Sequence, residues 1–240
     1  KVCYINQMSV NTKYGSPHLK RVGGYKKQPI GPTERFMARG DINKIAANGN
    51  TLLHHPDSVV LALTHPDFNL DIDQTNSNGR TALYPNLYYP TFWTLIAYGA
   101  NIYVQDYEGN TLLHLLFGDR KHALGKIRKT IAQYLVSKGI DINMQDDYGN
   151  TPAHLAIVLY QTEFDYYHHK DTKKYKHRGE PIDYNHIKPK HYSYGRLILL
   201  RELGADFTIK NNEGESVLDI VADLDIPESR RTRLNSILTG

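Results

Sequence analysis

A chain of 240 residues, 40% of them hydrophobic, has the length of a short repeat array or of one to two domains, and too much apolar content for disorder throughout. Its longest apolar-rich runs, near 131–136 and 197–203, are interrupted and fall well short of the ~18 residues that a membrane span needs. The single cysteine, Cys3, excludes an internal disulfide and a cysteine zinc site, and it fits a reducing compartment.

The net charge of +4 is unevenly spread. Residues 1–39 hold eight Lys or Arg (Lys1, Lys13, Lys20, Arg21, Lys26, Lys27, Arg35, Arg39) against Glu34 alone, which makes that stretch +7 and leaves −3 for the other 201 residues. The basic character therefore belongs to an N-terminal arm, taken as residues 1–37, and the body is not a basic nucleic-acid binder. Tyr4, Tyr14 and Tyr25 interleave with the basic residues, so nucleic acid or an anionic membrane is a candidate partner for residues 1–39 only. The chain opens Lys1-Val2-Cys3, with neither a signal peptide nor an initiator Met. That is expected of a piece of a longer or processed intracellular protein, with the arm a linker or the end of an upstream domain.

After the arm, residues 33–39 ("TERFMAR") offer one short helix, and then a single frame recurs. Asp41, Asp71, Asn101, Asp141 and Asp206 each stand eight residues before Gly49, Gly79, Gly109, Gly149 and Gly214, and each Gly is followed two residues later by Thr or Ser. Asp or Asn opens a turn and Gly closes it, with positive φ expected there. Thr51, Thr81, Thr111, Thr151 and Ser216 then cap a helix. Three residues further on come His54, Tyr84, His114, His154 and Asp219. Apolar helices ending in Gly99 ("LIAYG"), Gly139 ("LVSKG") and Gly204 ("LRELG") precede later turns, Gly being the usual helix stop.

The segments "GNTLLHLL" and "GNTPAHLA", with "GIDIN" upstream of the second, resemble ankyrin repeats, whose motif includes Thr-Pro-Leu-His-x-Ala. The resemblance covers residues 38–240 and implies an all-α solenoid of about five repeats. Each repeat would have two antiparallel helices and a projecting finger turn, with fingers near 41–50, 71–80, 101–110, 141–150 and 206–215. It also implies that His54, His114 and His154 are structural, bonding to Thr51, Thr111 and Thr151 and to nearby backbone. The diverged, Asn-, Tyr- and Lys-rich copies look like those of intracellular bacterial effectors or large DNA viruses, which would place the protein in a host cell.

The Gly-to-Gly spacings of 30, 30, 40 and 65 depart from the family's usual ~33. Copies one and two are expected to be trimmed, with Pro56 and Pro85 cutting their first helices short. Copy four has its first helix from Thr151 to about Tyr160 and its second at 194–203, so the extra residues 161–192 fall between them. A smaller insertion near 118–124 takes the same place in copy three. The stretch "PESRRTRLNSIL", 227–238, reads as the last helix of a C-terminal cap.

No arrangement that could do chemistry emerges. His168, His169, His177, His186 and His191 cluster in the insertion, but their spacings match no ligand motif, so neither metal nor cofactor is expected. Cys3 has no base placeable near it, and no Gly-rich phosphate loop is present. The functional expectation is a non-catalytic module that binds a partner protein through its concave finger face. The candidate contact residues are Arg80, Tyr107, Glu108, Asp147, Tyr148 and Lys210, joined by Tyr166 and Tyr167 of the insertion. Exposed Tyr beside acids suits a partner with a basic, partly apolar segment. The alternative is a substrate-recruiting part of a larger enzyme or host-directed effector whose catalytic domain lies N-terminal to residue 1.

Overall fold

A computed structural model describes residues 42–119, 126–161 and 192–240. The expected short helix at 33–39, most of the copy-three insertion and the insertion at 162–191, with Tyr166, Tyr167 and its five histidines, lie outside those residues.

The described residues are helical and contain no strand, as an all-α ankyrin-type fold requires. In copy one the first helix is reduced to two 3-10 turns, Leu52–His54 and Pro56–Ser58, followed by α1, Val59–Thr64. Pro56 cannot donate to a helical ladder, so it starts a new turn instead of continuing the first. Copy two has α2, Leu83–Asn86, and α3, Thr91–Ala97. Copy three has α4, Leu112–Gly118, and α5, Lys126–Ser137. Copy four has α6 over 152–161 and α7, Tyr192–Glu202. The final pair is α8, Val217–Asp223, and α9, Glu228–Thr239.

In copies one to three first helices stack on first helices, and second helices touch second helices between copies one and two and between copies four and five. α2 touches α4, α1 touches α3, and α9 closes the row against α7 and α8. The buried positions of α5, Arg128, Ile131, Ala132 and Leu135, follow the helical period and form one stripe facing the stack. One continuous core results, running from Ile42 and Leu52 through Phe92, Leu113, Ile131, Ala156 and Leu200 to Leu234. No single copy could bury these side chains alone, so each helix pair depends on its neighbours.

The last copy is closed by Arg231. Its guanidinium donates to the carbonyls of Val221, Ala222 and Leu224 at the C-terminal end of α8, satisfying groups the helix leaves unpaired. Among the described residues no helix is long and apolar enough to cross a membrane.

Candidate functional site

Between the helix pairs the chain forms five finger turns with one set of internal hydrogen bonds. The residue three before each Gly donates its N–H to the carbonyl just after that Gly: Ala46 to Asn50, Asn76 to Arg80, Asp106 to Asn110, Asp146 to Asn150 and Asn211 to Glu215, all at 2.9–3.0 Å. In copies two to five that residue is Asn or Asp, and its Oδ1 also accepts two backbone N–H groups. Asp106 accepts from Glu108 and Asn110 at 3.0 and 2.9 Å, and Asp146 from Tyr148 and Asn150 at 2.9 and 2.8 Å. At the opposite end of the finger, in copies two to five, the Asp or Asn eight before the Gly closes its own turn, Asp141 Oδ1 accepting from Asn143 N at 2.8 Å.

The fingers are also bonded to one another. Ser77 N donates to Asn48 O, Tyr107 N to Asn78 O, Asp147 N to Glu108 O and Asn212 N to Tyr148 O, each at 2.9–3.0 Å. One backbone bond per junction thus runs along the row of tips. The junction between the fourth and fifth fingers keeps it although 65 residues separate their glycines, so the finger row is indifferent to what is inserted between helices.

Behind the tips, histidines lock each finger to the following one. His54, His114 and His154 each accept the N–H of Thr51, Thr111 or Thr151 at Nδ1, at 3.1, 3.2 and 3.1 Å. With Nδ1 accepting, the proton sits on Nε2, which donates to the backbone carbonyl of Arg80, Asn150 or Glu215 in the next copy at 3.0, 2.9 and 3.1 Å. All three rings are buried, and burial holds their pKa below the ordinary histidine value. In copy two Tyr84 takes the place of His. Its hydroxyl donates to Asn110 O at 2.6 Å and preserves the bridge, but nothing replaces Nδ1, and Thr81 Oγ1 is buried without a hydrogen-bond partner. In copy five Asp219 caps Ser216 and bridges to no further copy among the described residues.

The contact residues expected from the sequence fall into three groups. Tyr107, Glu108, Asp147 and Tyr148 share the tips of two consecutive fingers and are exposed, Tyr107 by 71% and Tyr148 by 61%. Lys210 is exposed on the fifth finger, 3.9 Å from Asp219. Arg80 differs: it is one third exposed and held in an ion pair at 2.8 Å with Asp106, whose side chain is 1% exposed. The residue after each finger Gly, Arg80 included, is half-buried in all five copies, and the side chains of Asn50, Arg80 and Asn150 bond to the next finger. The two residues before each Gly are exposed in all five copies.

Sequence reasoning missed Tyr103. It is 65% exposed and donates its hydroxyl to Lys138 O at 2.6 Å, where Asn43, Asp73 and Asn143 instead reach the next copy's backbone. Aligning the position two after each finger-opening Asp or Asn would have exposed it as the odd member. Among the described residues no group of three or more His, Cys, Asp or Glu side chains is placed to hold a metal ion.

The comparisons agree with this geometry. Residues 125–160 match a family model described as ankyrin repeats, many copies. Over those residues the chain is similar to ankyrin repeats. It is also similar to a protein named intracellular phospholipase A2 from Caenorhabditis elegans, with 34% identity over 134 residues. That match spans 50% of this chain and 12% of the worm protein, so the chain corresponds to a small part of that relative.

Proposed function

We propose that this chain is a protein-interaction module whose finger face binds a partner through a basic, partly apolar segment. The observation that carries the reading is the placing of Tyr107 and Tyr148, both largely exposed, on adjacent fingers whose backbones are bonded to each other. A large aromatic surface on a rigid backbone loses little entropy when it binds. Glu108 and Asp147, the exposed neighbours of the two tyrosines in the chain, supply the negative charge that would orient a basic segment. Lys210 lies at the edge of this surface, whereas Arg80 contributes by fixing Asp106 and hence the third finger. Tyr166 and Tyr167 would extend the surface if the insertion adjoins it.

The test is partner capture by the double variant Tyr107→Ala with Tyr148→Ala. Capture is expected to fall at least tenfold, with the urea unfolding midpoint nearly unchanged because both rings are surface groups. Unchanged capture would remove the site from these fingers.

A second reading has one supporting observation, the similarity to a protein whose name is that of a phospholipase. Under it the repeats would serve a larger enzyme by holding a substrate-bearing or regulatory partner, and the repeats themselves would carry no catalysis. The complete reading frame decides this: a lipid-hydrolase domain on the same chain supports it, and its absence removes it.

A further inference from the structure

The five finger stretches together hold eleven acidic residues against three basic ones, Lys44, Arg80 and Lys210. Two of the acids, Asp106 and Asp146, are buried as finger caps, while Glu108, Asp141, Asp147, Asp206 and Glu213 are exposed. Among the exposed acids stand Tyr103, Tyr107 and Tyr148. The surface is thus acidic and aromatic together, and Arg80, one of its three bases, is already neutralised by Asp106. Its complement is present in the same chain: the stretch 1–39, at +7, with Tyr4, Tyr14 and Tyr25 among its lysines and arginines.

We infer that the N-terminal arm docks on the finger face of its own chain, as a ligand in cis that competes with the outside partner. The inference rests on the finger face being a binding surface, as proposed above. Three observations select the arm over a second copy or another protein. Its charge opposes that of the finger row and nearly balances it. Residue 42, the first described, enters the first finger, so the arm starts at one end of the row it would cover. An extended chain spans about 3.3 Å per residue, so some 40 residues reach far beyond five turns whose tips are hydrogen-bonded to each other. Tethering also gives the arm a high effective concentration at that face, which a second copy lacks at ordinary dilution.

Cys3, the chain's single cysteine, allows a direct test in the full chain. A nitroxide attached there broadens amide NMR signals of residues close to it. At low salt the signals of 107–110 and 147–150 are expected to lose most of their intensity while those of α9 keep theirs. The effect should fade at molar salt, where the screening length drops to about 3 Å. Replacing Lys20, Arg21, Lys26 and Lys27 with Gln should abolish it and tighten partner capture severalfold. A mixture of nitroxide-bearing chain with isotope-labelled Cys3→Ser chain separates the occupants: finger signals of the Cys3→Ser chain should stay sharp, and their broadening in that mixture would overturn docking in cis in favour of a second copy. Finger signals untouched by the nitroxide, at any salt, would overturn the inference outright. Adding a synthetic peptide of residues 13–39 then tells the two failures apart. If the peptide shifts the finger signals although the nitroxide does not, the face binds basic segments and only the cis docking falls; if neither acts, both readings fall.

Discussion

At the scale of single residues, the three histidines make the fold's response to pH a property of its repeat junctions. Each ring is buried and neutral, accepting at Nδ1 and donating at Nε2, and protonating Nδ1 would destroy the bond from the capping Thr. Burial is the leading cause of their lowered pKa, and the carbonyl bonds to Arg80, Asn150 and Glu215 oppose it only in part. In the unfolded chain the same rings titrate near 6.5, so below that pH the unfolded state binds more protons than the folded one. Stability from this source is complete above the unfolded value and is lost as pH falls through it towards the folded values. The urea midpoint should therefore hold steady from about pH 8 to 7 and fall between about pH 6.5 and 5. In a chain with His54, His114 and His154 all changed to Gln, the fall over that window should be much smaller, though the chain is less stable at every pH. An equally steep fall in the variant would put the titration elsewhere.

At the scale of the finger, the glycines answer two demands that a pair of variants can separate. Gly109 and Gly214 both have positive φ, 77° and 82°. A Cβ at Gly109 would stand 2.6 Å from Asp147 Oδ1 and 2.8 Å from Asp147 N, whereas a Cβ at Gly214 meets nothing within 4 Å. Gly214→Ala should thus cost only the backbone strain, about 1–2 kcal/mol. Gly109→Ala carries the same strain and must also push the next finger away, adding about 1–3 kcal/mol. Equal losses in urea unfolding would mean that the finger stacking contributes nothing. The first demand was legible in the sequence, because a Gly at fixed distance from Asp and Thr announces a turn and a cap. The second was not, since it depends on which side chain the neighbouring finger lays over the glycine: Tyr107 over Gly79, Asp147 over Gly109, Asn212 over Gly149. For the same reason Arg80 read as an exposed contact residue. Its offset from Gly79 was plain, but its ion pair with Asp106 spans two copies and appears only when they stack. Tyr84 shows the converse. It departs from the family's His, yet its hydroxyl reaches the same carbonyl position, so the junction survives the substitution with Thr81 left unpaired.

At the scale of the whole molecule, the all-α repeat class was legible because the frame recurs at fixed offsets, while the coupling between copies depends on bonds that no single copy contains. A stack whose units touch only their neighbours unfolds as one body only while every junction is strong. The chain carries its own local reporter. Trp93, its single tryptophan, lies on α3 and packs edge-on against Tyr134 of α5 at 5.0 Å, so its fluorescence follows the second and third copies. Far-ultraviolet circular dichroism follows the helices of all copies. His154→Ala removes the cap partner of Thr151 and the bridge to Glu215 O, the junction between copies four and five, and leaves the surroundings of Trp93 intact. The loss is about 2 kcal/mol at that junction, from two hydrogen bonds and a small cavity. The two signals should coincide in urea unfolding of the unaltered chain. In His154→Ala the circular dichroism should begin to fall at lower urea than the fluorescence, because the fifth copy, held on one side only, detaches first. If both signals shift together by the same amount, the junction is strong enough to keep the stack cooperative without its histidine, and the backbone bond from Asn212 to Tyr148 and the packing of α9 on α7 carry the coupling instead.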